Sequence, residues 1–157
     1  MSEALAWAEQ SRQIKSNLLD ASTLKTLHRR MFGQTWKWAG SFRLTQKSIG
    51  VEAERISTEL HNLLEDVKWW LDFASYEPRE IAARFHHRLV SIHLFPNGNG
   101  RHARLATDLL CRREGWQMPS WGASDLVRPG DARSRYIAAL KSADGHDIQP
   151  LIAFMWS

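Results

Sequence analysis

A histidine, a glycine-rich turn and two arginines lie within twelve residues of this 157-residue chain. The segment spans residues 93–104 and reads His-Leu-Phe-Pro-Asn-Gly-Asn-Gly-Arg-His-Ala-Arg. An imidazole with a pKa near neutrality can accept a proton, and guanidinium groups bind phosphate oxygens two at a time. The residue types and their spacing therefore predict a phosphate-binding site with His93 as a general base beside it.

The middle of this segment predicts a loop between two helices, because Pro96 and Gly98 interrupt a helical pattern. Free N–H groups at the start of the second helix, together with the helix dipole, favour an anion. Glycine at positions 98 and 100 lets successive N–H groups turn toward one anion. Arg101 and Arg104 lie three residues apart and can reach different phosphates. The combination favours phosphoryl or nucleotidyl transfer over acyl transfer.

Each part of the segment also has an ordinary structural explanation. A histidine at a helix end is usually a cap, Gly-Asn-Gly is usually a turn, and two arginines at this spacing are usually surface charge. The ordered combination of all three rarely arises by chance in a chain of this length. A functional site is therefore the favoured interpretation.

Helical periodicity predicts the elements that must position this segment. The expected helices cover residues 3–16, 20–33, 54–73, 78–93 and 99–113, with two more beginning at Asp131 and Asp147. Residues 116–130 hold two prolines and two glycines and predict a surface loop. Alternating residue character over 42–51 predicts a short β-hairpin. We therefore expect one all-α domain, residues 1–157, with one small hairpin.

Composition and charge narrow the class of protein. Hydrophobic residues make up 43% of the chain and charged residues 24%, as in soluble globular proteins. No apolar stretch is long enough to cross a bilayer, and the first residues do not resemble a signal peptide. The lone Cys111 predicts a reducing compartment, with the cytoplasm as the default. The net charge of +4 is scattered along the chain, which argues against a nucleic-acid partner.

Four histidines near the segment raise the alternative of a zinc site. They are His86, His87, His93 and His102. The sequence contains no His-Glu-x-x-His motif and no Cys/His ligand set. We therefore expect no structural zinc and interpret His86 and His87 as helix-surface or supporting groups.

Residues 93–104 closely resemble the signature of the Fic/Doc family, H-P-F-x-[D/E]-G-N-G-R-x-x-R. Three flanking stretches also look like Fic proteins: residues 85–90 (Phe-His-His-Arg-Leu-Val), 136–140 (Tyr-Ile-Ala-Ala-Leu) and 145–148 (Gly-His-Asp-Ile). Residues 36–40 (Trp-Lys-Trp-Ala-Gly) most resemble the subgroup called mobile mystery protein B. The likeness covers nearly the whole chain. It implies an all-α Fic-type fold, with the motif loop between two central helices and residues 42–51 as a hairpin flap.

The resemblance also implies a reaction. Fic proteins of this kind transfer AMP from ATP to the hydroxyl of a Ser, Thr or Tyr on a target protein. By that likeness His93 takes the proton from the hydroxyl. The loop N–H groups of Gly98 and Gly100 and the side chain of Asn99 hold the α-phosphate region. Arg101 and Arg104 hold the β- and γ-phosphates.

The target segment is expected to pair in extended form with one edge of the flap, by β-strand addition. The edge residues are Ser48, Ile49, Gly50 and Val51. Phe95 is expected to be buried and to anchor the loop.

Two positions depart from the family signature. Leu94 replaces proline, which should change the stiffness of the loop. Asn97 replaces the acid that helps relatives to hold Mg²⁺, and an amide oxygen is a poorer ligand for that ion than a carboxylate. We therefore expect Mg²⁺ to bind chiefly through the ATP phosphates, with weakened affinity.

Many Fic proteins carry an inhibitory motif, [S/T]-x-x-x-E-[G/N], and this chain has no match to it. Glu114 and Gly115 fail because Leu110 precedes them by four residues. Either a small antitoxin or a preceding part of the natural chain would supply the glutamate, which makes a bacterial toxin of a toxin–antitoxin pair one expectation. Three alternatives stay open: transfer of phosphate, UMP or phosphocholine, a catalytically impaired Fic-fold binding module, and a helical nucleic-acid binder.

Overall fold

The computed structural model describes residues 2–123 and 125–157, and helices dominate both ranges. The α-helices are α1 (Ser2–Gln10), α2 (Arg12–Asn17), α3 (Ala21–Phe32), α4 (Ile56–Phe73), α5 (Pro78–Ile92), α6 (Asn99–Glu114), α7 (Asp131–Asp144) and α8 (Gln149–Met155). Single 3₁₀ turns cover Ala53–Arg55 and Trp121–Ala123. No strand occurs within the described ranges, so the prediction of an all-α fold is confirmed.

The predicted helices form close to their expected ends, with one exception. The stretch predicted as one helix over residues 3–16 is divided at Ser11. The Ser11 hydroxyl accepts a hydrogen bond from the N–H of Ile14 at 3.3 Å and so caps α2. Serine favours such caps because its side chain competes with the helical backbone for hydrogen bonds.

The core forms around α5 and α6, which pack against each other. Helix α4 also packs on α5, and α3 packs on α6. Helices α7 and α8 form a second layer against α5. Phe85 and Leu89 of α5 share one buried cluster with Leu109 and Leu110 of α6. No helix in the described part of the chain is long and apolar enough to span a membrane.

The connection between α5 and α6 is the signature loop, residues 93–98. Helix α5 ends at Ile92, and His93 follows in the left-handed region with φ 59° and ψ 69°. Helix α6 begins at Asn99, directly after Gly98 with φ 80°. The predicted loop between two central helices is confirmed, and its ends lie at the two helix termini that carry the candidate chemistry.

Residues 42–51, which we call the flap loop, do not form the predicted hairpin. The N–H of Arg43 donates to the carbonyl of Leu94 at 2.9 Å, and the N–H of Val51 donates to Ile92 at 3.3 Å. Both limbs of the flap loop therefore bond to the end of α5 and the start of the signature loop. Backbone groups used in this way are not available for a ladder between the limbs.

The Arg43 side chain explains this arrangement, since it lies in the interior with only 2% of its surface exposed. Its guanidinium donates to four backbone carbonyls, those of Thr45, Val51, Ile92 and His93. Two of these carbonyls belong to the flap loop and two to the chain at the end of α5. One buried cation therefore takes the place of a β-ladder in joining these segments.

Three buried histidines connect helices to one another or to the signature loop. Each has at most 2% of its surface exposed. His28 of α3 bonds to the signature loop, and His102 of α6 bonds to the carbonyl of Leu24 in α3 at 2.9 Å. His86 of α5 bonds to the hydroxyl of Tyr136 in α7 at 2.7 Å. Burial lowers the pKa of His28 to about 4 and those of His86 and His102 to about 3.

These pKa values make the stability of the fold depend on pH. In the unfolded chain a histidine binds a proton below about pH 6.5, whereas these three stay neutral in the folded chain until a much lower pH. Their contribution is fully present above pH 6.5 and is lost as the pH falls toward 4. Each such histidine adds a slope of about 1.4 kcal/mol per pH unit to the free energy of unfolding within that window.

The variant His102→Leu isolates one of these contributions. We expect its free energy of unfolding to fall less steeply than that of the wild type between pH 6.5 and pH 4, by about 1.4 kcal/mol per pH unit. Urea denaturation at several pH values measures both slopes. Parallel slopes for the two proteins would contradict the assignment of His102 as a buried neutral side chain.

Candidate active site

An open cavity of about 330 Å³ lies beside the signature loop. Its lining includes most of the residues that the sequence predicted for the site: Ile49, His93, Asn97, Gly98, Asn99, Gly100, Arg101 and Arg104. Ser48, Gly50 and Val51 do not line it. The base, the glycine-rich loop and the two arginines therefore face one common space.

His93 occupies the position after the last residue of α5, where its left-handed backbone ends the helix. Its carbonyl accepts a hydrogen bond from Nε of Arg43 at 2.6 Å, which fixes the backbone of this residue. Burial of the imidazole lowers its pKa, and the charges of Arg43 and Lys47 lower it further. The ring is therefore neutral at neutral pH, the form that accepts a proton.

The flap loop lies directly against His93. Gly50 has φ 98°, and a Cβ atom added there would lie 2.6 Å from the Cβ of His93. Any side chain at position 50 would displace the imidazole or the loop. His93 is thus confined between the end of α5 and the flap loop.

Two asparagines of the motif have different surroundings. Asn99 is buried, and its side chain accepts from the N–H of Phe95 at 2.9 Å and donates to the carbonyl of Phe95 at 2.7 Å. Asn97 is exposed, and its Oδ1 accepts from the N–H of Gly98 at 2.8 Å. Asn99 therefore holds the loop closed on itself. The predicted contact of its side chain with a phosphate stays a prediction.

Aromatic rings hold the two motif arginines on different sides of the cavity. The guanidinium of Arg101 lies 4.7 Å from the ring centre of Phe32 and 5.9 Å from that of Trp36. The guanidinium of Arg104 lies 5.6 Å from the ring centre of Tyr136. Neither arginine takes part in an ion pair with another described residue. Both charges are therefore available to an anion in the cavity.

The far wall of the cavity comes from later parts of the chain, which the sequence did not assign to the site. It consists of Leu126 and Val127 from the connector before α7, and Arg133, Tyr136 and Ile137 from α7. The Tyr136 hydroxyl bonds to Nε2 of the buried His86, which fixes the ring. The resemblance of residues 136–140 to Fic proteins was the one sequence signal that could have assigned this part of the chain to the site. Nothing in their spacing pointed to a cavity.

A metal ion would find few protein ligands here. Asn97 supplies one neutral oxygen, and that oxygen already accepts the N–H of Gly98. The described residues contain no group of three His, Cys, Asp or Glu side chains able to hold a metal. The crowded histidines point apart, since His86 bonds to Tyr136 and His87 bonds to Asp144 at 2.7 Å. Any Mg²⁺ bound here would depend mainly on oxygens of the ligand.

Arg43 was missed by the sequence analysis, and its effect on His93 can be measured. We expect Arg43→Gln to lower the free energy of unfolding by at least about 2 kcal/mol, because several hydrogen bonds from a charged group are lost. The same change removes a nearby positive charge and should raise the pKa of His93. NMR titration of the His93 ring protons and urea denaturation measure the two effects.

Lys47→Gln is the matched control, because Lys47 acts on His93 through charge while its side chain is exposed. It should raise the pKa of His93 without a comparable loss of stability. If Arg43→Gln left both the stability and the pKa unchanged, the proposed joining role of Arg43 would be wrong.

Comparison with known proteins assigns the chain to a family. The family model described as the Fic/DOC family matches residues 18–111. Protein adenylyltransferase Fic of Drosophila grimshawi is 34% identical over 133 residues, which cover 82% of this chain and 26% of that protein. Protein adenylyltransferase fic-1 of Caenorhabditis elegans is 32% identical, with 82% and 25% covered. The chain thus spans about a quarter of the length of these curated relatives.

Solved structures agree with this assignment. The structure of C. elegans Fic-1, residues 134–508, aligns with a TM-score of 0.78 and 29% identity, covering 98% of this chain and 45% of that one. The BepC protein of Bartonella tribocorum, solved with bound AMPPNP, has a TM-score of 0.75 at 20% identity, covering 98% and 79%, and so supports the fold alone. The chain belongs to the Fic/DOC family.

Proposed function

We propose that this chain transfers AMP from ATP to a hydroxyl side chain of a target protein. The single observation that carries the proposal is that one cavity of about 330 Å³ is lined by His93, the glycine-rich loop, Arg101 and Arg104. The curated relatives, 32–34% identical over 82% of this chain, are named protein adenylyltransferases. A neutral base and two cations that can bind phosphate are the groups that nucleotidyl transfer requires.

His93 acts as the general base in this proposal. The target hydroxyl gives its proton to the neutral imidazole while its oxygen forms a bond to the α-phosphorus of ATP. The bond between the α-phosphorus and the bridging oxygen breaks, and pyrophosphate leaves. The lowered pKa of His93 and its place on the cavity wall support this role.

The loop and the arginines bind the nucleotide phosphates. Backbone N–H groups at Gly98 and Gly100 meet the α-phosphate region at the start of α6, where the helix dipole favours negative charge. Asn99 stands at this helix start as well, and its second amide hydrogen is its remaining donor toward a phosphate. Arg101 and Arg104 neutralise the β- and γ-phosphates and the charge that develops on pyrophosphate.

Asn97 is the residue that would hold Mg²⁺, through its amide oxygen and together with phosphate oxygens of ATP. When bound, the ion would neutralise phosphate charge. Because Asn97 is neutral, we expect this chain to bind Mg²⁺ more weakly than relatives that have an acid at this position.

The target protein docks on the flap loop near Ser48, Ile49, Gly50 and Val51. Ile49 is 60% exposed although it is apolar, and it reaches the cavity. Within the described part of the chain, the N–H groups of residues 48–50 donate no hydrogen bond. An extended segment of the target can bond to these groups beside His93.

Regulation by a separate small antitoxin is the remaining part of the proposal. A glutamate from such a partner would pair with Arg104 and exclude the γ-phosphate. The absence of an ion pair to Arg104 from any described residue supports an external source for this acid. Because ATP is abundant in the cytoplasm and Cys111 is a free thiol, we place the reaction there.

Labelled ATP tests the reaction. We expect label from the α-phosphate, and not from the γ-phosphate, to appear on protein in a cell lysate. His93→Ala should lower the rate of transfer by at least about 100-fold, because it removes the general base. Mass spectrometry of the labelled protein then identifies the added AMP.

His87→Ala is the matched control, since His87 lies on α5, the helix that ends directly before His93, and pairs with Asp144 outside the cavity. It should transfer label at close to the parental rate. Label from the γ-phosphate would point to a kinase, and no label on any protein would point to a binding role.

The metal proposal has its own test. We expect Asn97→Asp to reach half-maximal transfer at a lower Mg²⁺ concentration than the parent, because a carboxylate binds this ion better than an amide. Asn97→Ala should need at least as much Mg²⁺ as the parent. If Asn97→Asp needs no less Mg²⁺ than the parent, the assignment of this position to the metal is wrong.

A further inference from the structure

We propose that His28 is a positioning residue, which holds the peptide bond between Asn97 and Gly98 so that the Gly98 N–H faces the phosphate site. This inference rests on the proposed function for the identity of the phosphate ligand. His28 lies on α3, far from the motif in sequence, and it does not line the cavity. It therefore acts through the loop and not on the substrate.

The two nitrogens of the His28 ring have different partners. The N–H of Gly40 donates to Nδ1 at 3.0 Å, and a backbone N–H can only donate. Nδ1 must therefore be the unprotonated acceptor, and the ring proton lies on Nε2. Nε2 is 3.0 Å from the carbonyl oxygen of Asn97, to which it donates. The two neighbours thus determine a single tautomer.

The ring itself has little freedom to turn. His28 has no exposed surface, and its ring stacks on that of Phe95 with centroids 3.7 Å apart. The ring of His102 lies 5.7 Å away on another side. Burial lowers the pKa of His28 to about 4, so the ring is neutral and offers one donor and one acceptor. The donor pairs with the carbonyl of Asn97, and the acceptor pairs with the N–H of Gly40.

The hydrogen bond from His28 determines which way the next N–H points. In a planar trans peptide the carbonyl and the N–H point in opposite directions. Because the carbonyl of Asn97 points to His28 in the core, the N–H of Gly98 points away from the core. On that side it meets Oδ1 of Asn97, an exposed residue on the cavity wall. A phosphate oxygen can replace this amide oxygen as the acceptor.

The peptide between Asn97 and Gly98 has an alternative orientation that His28 opposes. Gly98 has φ 80° and ψ 11°, and glycine adopts positive and negative φ values about equally readily. Rotation of this peptide would direct the carbonyl of Asn97 toward the cavity. A carbonyl oxygen there would repel a phosphate. The donor on His28 stabilises the form that presents an N–H.

The tight contacts of Gly98 do not by themselves determine the orientation of the peptide between Asn97 and Gly98. A Cβ atom at position 98 would lie 2.7 Å from the ring of Phe32, so only glycine fits. Glycine is also the residue that tolerates both orientations of the preceding peptide most readily. Because the space requires glycine, the orientation of the peptide depends on a hydrogen bond from elsewhere, and His28 provides it.

Two substitutions at position 28 separate the two hydrogen bonds. In His28→Gln the amide nitrogen occupies roughly the place of Nε2 and retains a donor for the carbonyl of Asn97. In His28→Asn the side chain is too short to reach Asn97 but its oxygen can still accept from Gly40. We expect His28→Asn to weaken ATP binding and to lower kcat/KM for ATP by about 10- to 100-fold, as for the loss of a hydrogen bond to a charged group. His28→Gln should stay within about threefold of the parent on the same grounds.

A control variant separates this effect from a loss of stability. Val67→Ala changes a fully buried residue of α4 that has no part in the site. It should lower Tm yet leave kcat and KM for ATP close to the parental values. If the Gln and Asn variants have the same kcat/KM, or if His28→Asn lowers only Tm, the positioning role is wrong.

Two further readouts do not require a target protein. Calorimetry with ATP and Mg²⁺ compares the affinities of the parent and the two variants directly. If the parent binds ATP but transfers nothing, the proposed function fails while weaker binding by His28→Asn still supports the positioning role. Long-range ¹H–¹⁵N NMR at pH 7 reports the His28 tautomer, and a proton found on Nδ1 would overturn the inference.

Discussion

The buried guanidinium of Arg43 is the interaction on which the geometry of the site depends. A charged group in the interior is costly unless its donors find acceptors, and here four backbone carbonyls accept hydrogen bonds from the guanidinium. Two of those acceptors, at Ile92 and His93, are carbonyls at the end of α5 that helical hydrogen bonds leave open. The requirements of the cation and of the helix end are therefore met by the same bonds. These bonds fix His93 and the flap loop relative to each other.

Buried side chains also hold the backbone of the signature loop in place. Asn99 closes the loop through both backbone groups of Phe95, and Phe95 in turn stacks on His28. The side chains of Asn99 and His28 therefore orient backbone groups of the loop, while the two motif arginines pack over aromatic rings of α3 and α7. Preorganisation of this kind is what electrostatic catalysis requires, because the donors are in place before charge develops.

Sequence reasoning found the elements whose signals are local. The apolar spacing of α4 and the breakers at Pro96 and Gly98 are sufficient to place helices and the motif loop. The flap loop was misjudged because alternation reports which side chains share a face, and it cannot show that Arg43 points inward to distant carbonyls. His28 and the far wall around Tyr136 depend on contacts across long stretches of chain. No local pattern encodes them.

The two walls of the cavity are held very differently, and this has a consequence for how the protein can diversify. In the signature wall, Arg43 and His28 bond to the carbonyls of His93, Leu94 and Asn97, so substitutions there disturb several partners at once. The far wall at Leu126 and Val127 lies in a connector, where the N–H of Val127 bonds only to the nearby carboxylate of Asp125 at 2.8 Å among the described residues. Changes in that connector alter the shape of the cavity while His93 and the two motif arginines stay in place. Ligand preference and chemistry can therefore evolve separately in this fold.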